Sequence, residues 1–107
     1  MPHYMFQVAY TGEAWEGLVR RPQDRSRAIR PIVKNLKGRV ISFYNSFGDY
    51  DVVLIAEMPN NEAAAGLAMA AAAGGAIKAV KTTPLMTVKE GLDAMGKADK
   101  ASYQRPK

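Results

Sequence analysis

The residues best suited to chemistry lie in one short stretch, Gly48-Asp49-Tyr50-Asp51, with Tyr44 a few positions upstream. A tyrosine hydroxyl beside a carboxylate can act as proton donor and acceptor, and burial at a cavity rim would raise the carboxylate pKa toward neutrality. Tyr44, Asp49, Tyr50 and Asp51 are therefore the candidate ligand-binding residues, and no catalytic residue is assigned. The same stretch also has a structural account. Gly48 supplies an unusual backbone angle, Asp49 tolerates a turn, and Asp51 bonds turn amides or pins the neighbouring strand. Glu57 reads as an exposed strand-end partner for a lysine rather than a base.

Other chemistries lack their residues. His3 is the only histidine and there is no cysteine, so one chain cannot supply a two-histidine or thiolate metal site. A symmetric site using His3 from two subunits stays open, but no metal and no cofactor is implied. Ser26, Ser42 and Ser46 sit in no nucleophile elbow. Gly74-Gly75 is followed by a strand, so it reads as a helix C-cap and not as a phosphate cradle. Met58, Met69, Met86 and Met95 read as core or interface filler.

The net charge of +5 is concentrated. Residues 20 to 39 carry eight positives (Arg20, Arg21, Arg25, Arg27, Arg30, Lys34, Lys37, Arg39) against Asp24 alone, whereas residues 40 to 96 sum to −3. Arg27, Arg30, Lys34 and Lys37 form a stripe roughly 130° from the apolar helix face, which reads as solvated. With no aromatics interleaved and no reading motif, sequence-specific nucleic-acid binding is not expected. An anionic small ligand or a partner protein would fit the stripe equally. No segment approaches the ~20 apolar residues that span a bilayer, so no membrane role is expected. The absence of cysteines fits a cytoplasmic protein.

The elements that must position these residues follow from period and punctuation. Tyr4 to Tyr10 reads as a first strand and Glu13 to Val19 as a short helix stopped by Pro22. Ile29, Ile32, Val33 and Leu36 recur at helical spacing from Ser26 to Leu36; Pro31 implies a kink or late start, and Gly38 ends the helix. Arg39 to Phe47 and Tyr50 to Met58 read as strands separated by only Gly48 and Asp49, a tight antiparallel hairpin. Strand two alternates with Val40 and Tyr44 on one side and Ile41, Phe43 and Phe47 on the other. Asn60 or Asn61 caps an alanine-rich helix over Ala63 to Ala73, Ile77 to Leu85 is a fourth strand, and Thr87-Val88-Lys89-Glu90 is a capping box. The last helix then turns Val88, Leu92 and Met95 inward.

This order is that of an α+β, ferredoxin-like βαββαβ domain over residues 1 to 96. It has a four-stranded antiparallel sheet, both main helices on one face and an extra C-terminal helix. Residues 97 to 107 read as a flexible basic tail. Val52 to Ala56 is continuously apolar although helices are available for only one face. A homo-oligomer, dimer or higher, paired through the helix-free sheet face is therefore expected.

Phe43-Tyr44, Phe47-Gly48-Asp49-Tyr50-Asp51, Glu57 and Pro59 ahead of the alanine-rich helix resemble the GYD-domain family. The resemblance extends through Thr11, Leu36, Lys37-Gly38-Arg39, Gly74, Thr82-Thr83 and Glu90. It implies a ferredoxin-like fold of the dimeric α+β barrel type and no particular activity. The leading expectation is a small-molecule binding or sensing module. A cofactor-independent enzyme, such as an oxygenase or isomerase with a pocket in a dimeric barrel, is the alternative, and a structural or interaction domain is the third. A closed pocket with converging polar groups would favour the first two, and a filled core the last.

Overall fold

The computed structural model describes residues 1–102 and 104–106. Its elements run β1 (His3–Tyr10), α1 (Gly12–Arg20), α2 (Ser26–Asn35), β2 (Arg39–Asn45), β3 (Val52–Glu57), α3 (Asn61–Ala73), β4 (Ile77–Leu85) and α4 (Val88–Ala101). The four strands form one antiparallel sheet in the order β2-β3-β1-β4, the ferredoxin-like arrangement expected. No helix among the described residues is long and apolar enough to cross a membrane.

The core lies between one sheet face and the helices. Tyr4 and Phe6 of β1 with Leu54 and Ala56 of β3 meet Val33 of α2, Ala64 and Leu67 of α3, and Met58. Phe6, Met58 and Val33 are the largest fully buried side chains, each stabilising by about 1.5–3 kcal/mol. The alanines of α3 let its backbone approach the sheet, and Asn60 caps it by accepting from the Ala63 amide at 2.9 Å. α2 starts at Ser26, so Pro31 falls in its second turn and removes a single backbone bond.

Gly38 is not the left-handed residue that ends α2. Lys37 adopts that conformation, with φ 66°. Gly38 is required for space, because a Cβ there would lie 2.5 Å from Met58 Sδ and 2.6 Å from the Glu57 carbonyl oxygen. The β2–β3 connection is also longer than the two residues expected. The strands stop at Asn45 and restart at Val52, since Ser46 Oγ donates to the Tyr50 carbonyl and the Ser46 amide to that of Asp51. These bonds build a six-residue loop with Gly48 at φ 118°.

Strand β2 breaks simple alternation. Its register against β3 shifts between Val40 and Ser42, leaving Ile41 as an extra residue. Val40 and Phe43 therefore both pack on the core, while Ser42 and Tyr44 share the helix-free face with Ile55 and Val53. That face carries three cross-strand rows: Tyr44, Val53, Gln7, Lys81; Ser42, Ile55, Met5, Thr83; and Arg39, Glu57, His3, Leu85. It mixes apolar with polar side chains, which the continuous apolar run of β3 alone does not suggest.

The last helix departs most from expectation. Its capping box forms, with Thr87 and Glu90 each bonding the other's backbone. Yet none of its residues is buried, and Val88, Leu92 and Met95 are 83%, 61% and 67% exposed. Among the described residues nothing covers the stripe expected to face inward. The helix also takes in residues 97 to 101, part of the expected tail; positions 103 and 107 of that tail lie outside the described residues. The domain measures 57 × 35 × 22 Å with a radius of gyration of 17.1 Å. A compact chain of this length would have about 13 Å.

Candidate ligand-binding site

Asp51 is the best-connected residue of the predicted set. Its carboxylate accepts from the Tyr10 amide at 2.9 Å and from the Trp15 indole Nε1 at 3.2 Å, while its own amide donates to the Val8 carbonyl at 2.7 Å. These bonds tie the β2–β3 loop to the end of β1 and to α1, the strand-pinning role read from the sequence. The other three residues do not join it in one site. Asp49 is exposed at the loop, Tyr50 is half-buried with its carbonyl taken by Ser46, and Tyr44 stands 64% exposed on the edge strand. Glu57 meets Arg39 at 3.2 Å and His3 at 3.4 Å, not a lysine.

What Asp51 pins is Tyr10, and Tyr10 forms part of a cleft of about 380 Å³. Tyr10 keeps the alternation of Tyr4 and Phe6 and so faces the core side, and Ala9 beside it is buried as well where the register against β4 shifts. Trp15 stacks edge-on against its ring at 5.4 Å, and Thr11 both caps α1 and donates its amide to the Ala76 carbonyl at 3.0 Å. Ala14, Gly17, Leu18 and Ala76 give the cleft an apolar wall, and Arg21, Gln23, Arg25 and Glu13 supply its polar groups. Arg25 donates to the Gln23 side-chain oxygen at 3.3 Å. Two guanidiniums against one carboxylate leave the lining net positive.

Burial pushes the Tyr10 phenol above its ordinary range, the nearby Asp51 charge adds to this, and the Arg25 guanidinium partly offsets it. The hydroxyl therefore stays protonated at neutral pH, as a neutral hydrogen-bonding group. A second cleft of about 360 Å³ adjoins the first through Glu13, Ala14 and Ala76 and reaches Gly74 and Gly75. Gly75, at φ 83°, closes α3 as expected of a helix end.

The interior holds no comparable space. A void of about 20 Å³ lies among Phe6, Val8, Ile29, Leu54, Leu67 and Val80, so the layer between sheet and helices is filled. A groove of about 360 Å³ between α3 and β4 has no charged lining, and its Tyr4 hydroxyl already donates to Asn61 at 2.6 Å. The Tyr10 cleft sets two guanidiniums beside a buried tyrosine, which neither the groove between α3 and β4 nor the adjoining cleft does.

Sequence reading missed Tyr10, Arg21, Gln23 and Arg25. The available signal was Pro22: it takes Arg21 and Gln23 out of any helix and places them in a tight connection beside the end of β1. The residues of the helical stripe, Arg27, Arg30, Lys34 and Lys37, are exposed as expected, and Arg27 lies 3.8 Å from Asp24.

Comparison with solved structures agrees with this fold. MtbAldR has a TM-score of 0.58 at 16% identity, over 80% of this chain and 53% of that one, so this chain spans about half its length. TTHA0845 from Thermus thermophilus has a TM-score of 0.53 at 15% identity, over 82% of this chain and 96% of that one. Both share the α+β architecture of the dimeric α+β barrel type. No curated protein sequence matches the chain. The GYD domain model matches residues 4–95, from β1 into α4, and the chain therefore belongs to the GYD-domain family.

Proposed function

We propose that this domain is a cytoplasmic small-molecule binding or sensing module that works as a homo-oligomer and takes an organic anion in the Tyr10 cleft. The observation that carries the reading is the lining: Arg21 and Arg25 beside a buried, neutral tyrosine hydroxyl and an apolar wall. Guanidiniums suit carboxylate or phosphate groups, Tyr10 and Gln23 can orient the ligand, and Ala14, Leu18 and Ala76 can cover an apolar body. The filled interior supports a site at this end of the sheet rather than between sheet and helices. The homo-oligomeric part rests on Met5, Val53, Ile55 and Leu85, which lie on a sheet face that no helix of the chain covers.

The test is calorimetric titration of the purified protein with a panel of aliphatic and aromatic carboxylates and phosphate monoesters, alongside native mass spectrometry for stoichiometry. At least one ligand is expected to bind wild type and to lose tenfold or more in affinity, about 1.4 kcal/mol, in Arg25→Ala. Binding that is indifferent to Arg21→Ala and Arg25→Ala would refute the site, and a monomer at micromolar concentration the assembly.

A further inference from the structure

The two clefts at this end of the sheet share Glu13, Ala14 and Ala76, and their charges are sorted along α1. Arg21 and Arg25 line only the Tyr10 cleft, whereas among the described residues Glu13 is the one charged group lining the adjoining cleft. Glu13 stands in the first turn of α1 and Arg21 caps its far end, so about 12 Å of helix axis separates the two positions. Arg25 follows Arg21 in the connection between α1 and α2, at the same far end. Ala14, Gly17 and Leu18 line the cleft between these ends. Glycine inside a helix is destabilising relative to alanine, and a Cβ at Gly17 would meet nothing within 4 Å, so packing within the chain does not call for glycine there. An occupant lying along the helix does.

The charges at both ends are available. Glu16 and Arg20 of α1 pair with each other at 2.8 Å, whereas among the described residues Glu13, Arg21 and Arg25 join no ion pair. The helix dipole favours a carboxylate at Glu13, but it does not account for an apolar floor leading from that carboxylate to two guanidiniums.

We propose that the Tyr10 cleft takes an elongated zwitterion, an ω-amino carboxylate whose carboxylate meets Arg21 and Arg25, whose ammonium meets Glu13 and whose methylene chain lies on Ala14, Gly17 and Leu18. An α-amino acid carries both charges on one carbon and cannot reach both ends. A simple carboxylate sets its apolar tail against Glu13 and desolvates that carboxylate without a partner. The distal ammonium replaces this cost with a charge-assisted hydrogen bond. The inference rests on the anion reading above and adds to it a second charge and its distance from the first.

Isomeric probes test it. 6-Aminohexanoate and 2-aminohexanoate contain the same atoms with the charges far apart or adjacent, and hexanoate lacks the amine. In calorimetric titrations wild type is expected to bind 6-aminohexanoate roughly tenfold or more tighter than either. Glu13 is exposed, so it can be replaced with the fold intact, as circular dichroism would verify. Glu13→Gln should erase the lead of 6-aminohexanoate while leaving hexanoate within about twofold, and Glu13→Lys should prefer hexanedioate instead. Gly17→Met, which fills the floor without a clash at its Cβ, should weaken all the probes. Equal affinities for hexanoate and 6-aminohexanoate, a lead that survives Glu13→Gln, or an equal lead for 2-aminohexanoate would overturn the zwitterion and leave the anion site standing. Failure of every one of these probes to bind would overturn it too, and the wider panel of carboxylates and phosphate monoesters would then judge the anion reading separately.

Discussion

Replacing Asp51 should unfold this domain more readily without any loss specific to ligand binding, and the size of the effect can be worked from its bonds. Asp51→Ala strips the acceptor from the Tyr10 amide, which belongs to a buried residue, at a cost of about 1–3 kcal/mol. The Trp15 indole bond is solvent-exposed and adds only about 0.5 kcal/mol. The backbone bonds of Asp51 to Val8 and Ser46 survive the substitution. The sum, about 1.5–3.5 kcal/mol, is a large share of the roughly 5–15 kcal/mol that holds a domain together. At about 4–8 °C per kcal/mol it lowers Tm by roughly 6–28 °C. Asp51→Asn keeps one acceptor oxygen and forfeits only charge assistance, so about 1 kcal/mol is expected. Asp49, two residues away and exposed, is the internal control, and Asp49→Ala should stay within about 0.5 kcal/mol of wild type. Urea titration followed by circular dichroism reads all three, with an unchanged m-value. Equal effects at positions 49 and 51, or a stable Asp51→Ala that has lost ligand affinity, would refute the pinning argument.

Two further outcomes come from the same packing. Gly38→Ala should cost about 1–3 kcal/mol, because the new methyl meets the rigid Glu57 carbonyl as well as the Met58 sulfur; a urea midpoint matching wild type would mean that the α2–β2 junction yields more easily than this contact implies. Tyr10 predicts an alkaline effect: its folded pKa lies above the unfolded value of 10.0, chiefly through burial, so its contribution is full below that pH. The contribution is lost as pH rises through the folded pKa, since the unfolded state ionises first. Urea midpoints from about pH 9 to about pH 11 should therefore fall more steeply in wild type than in Tyr10→Phe, and parallel curves would contradict the assignment.

Much of the fold was legible because local signals and topology agreed. Asn60, the Thr87–Glu90 box and the bounds of β4 stand where cap chemistry and β-branched content put them. Pro31 is tolerated because the helix begins at Ser26. Gly38 was legible as a break but not in its reason. Its requirement comes from Met58 and Glu57, about twenty residues on, and no local rule of helix termination contains that contact.

The candidate site was harder to read because strand period fails at Ile41 and does not contain the cleft at all. The register shift at Ile41 reverses the face of the residues beyond it, sending Phe43 to the core and leaving Tyr44 outside. A two-residue alternation carried through that point assigns Tyr44 to the interior. Tyr10 keeps the alternation of Tyr4 and Phe6, but what makes it a cleft residue is α1 and the connection after it, which lie outside the strand pattern. Tyr44 therefore reads as a cavity residue, and Tyr10 as the last letter of a strand. Asp51 bears on both readings: it sits in the loop with the most distinctive sequence and spends its carboxylate fixing the tyrosine that lines the cleft. That loop thus serves the domain as architecture, since the Asp51 carboxylate bridges the Tyr10 amide at the end of β1 to the Trp15 indole of α1 and is not itself part of the cleft lining.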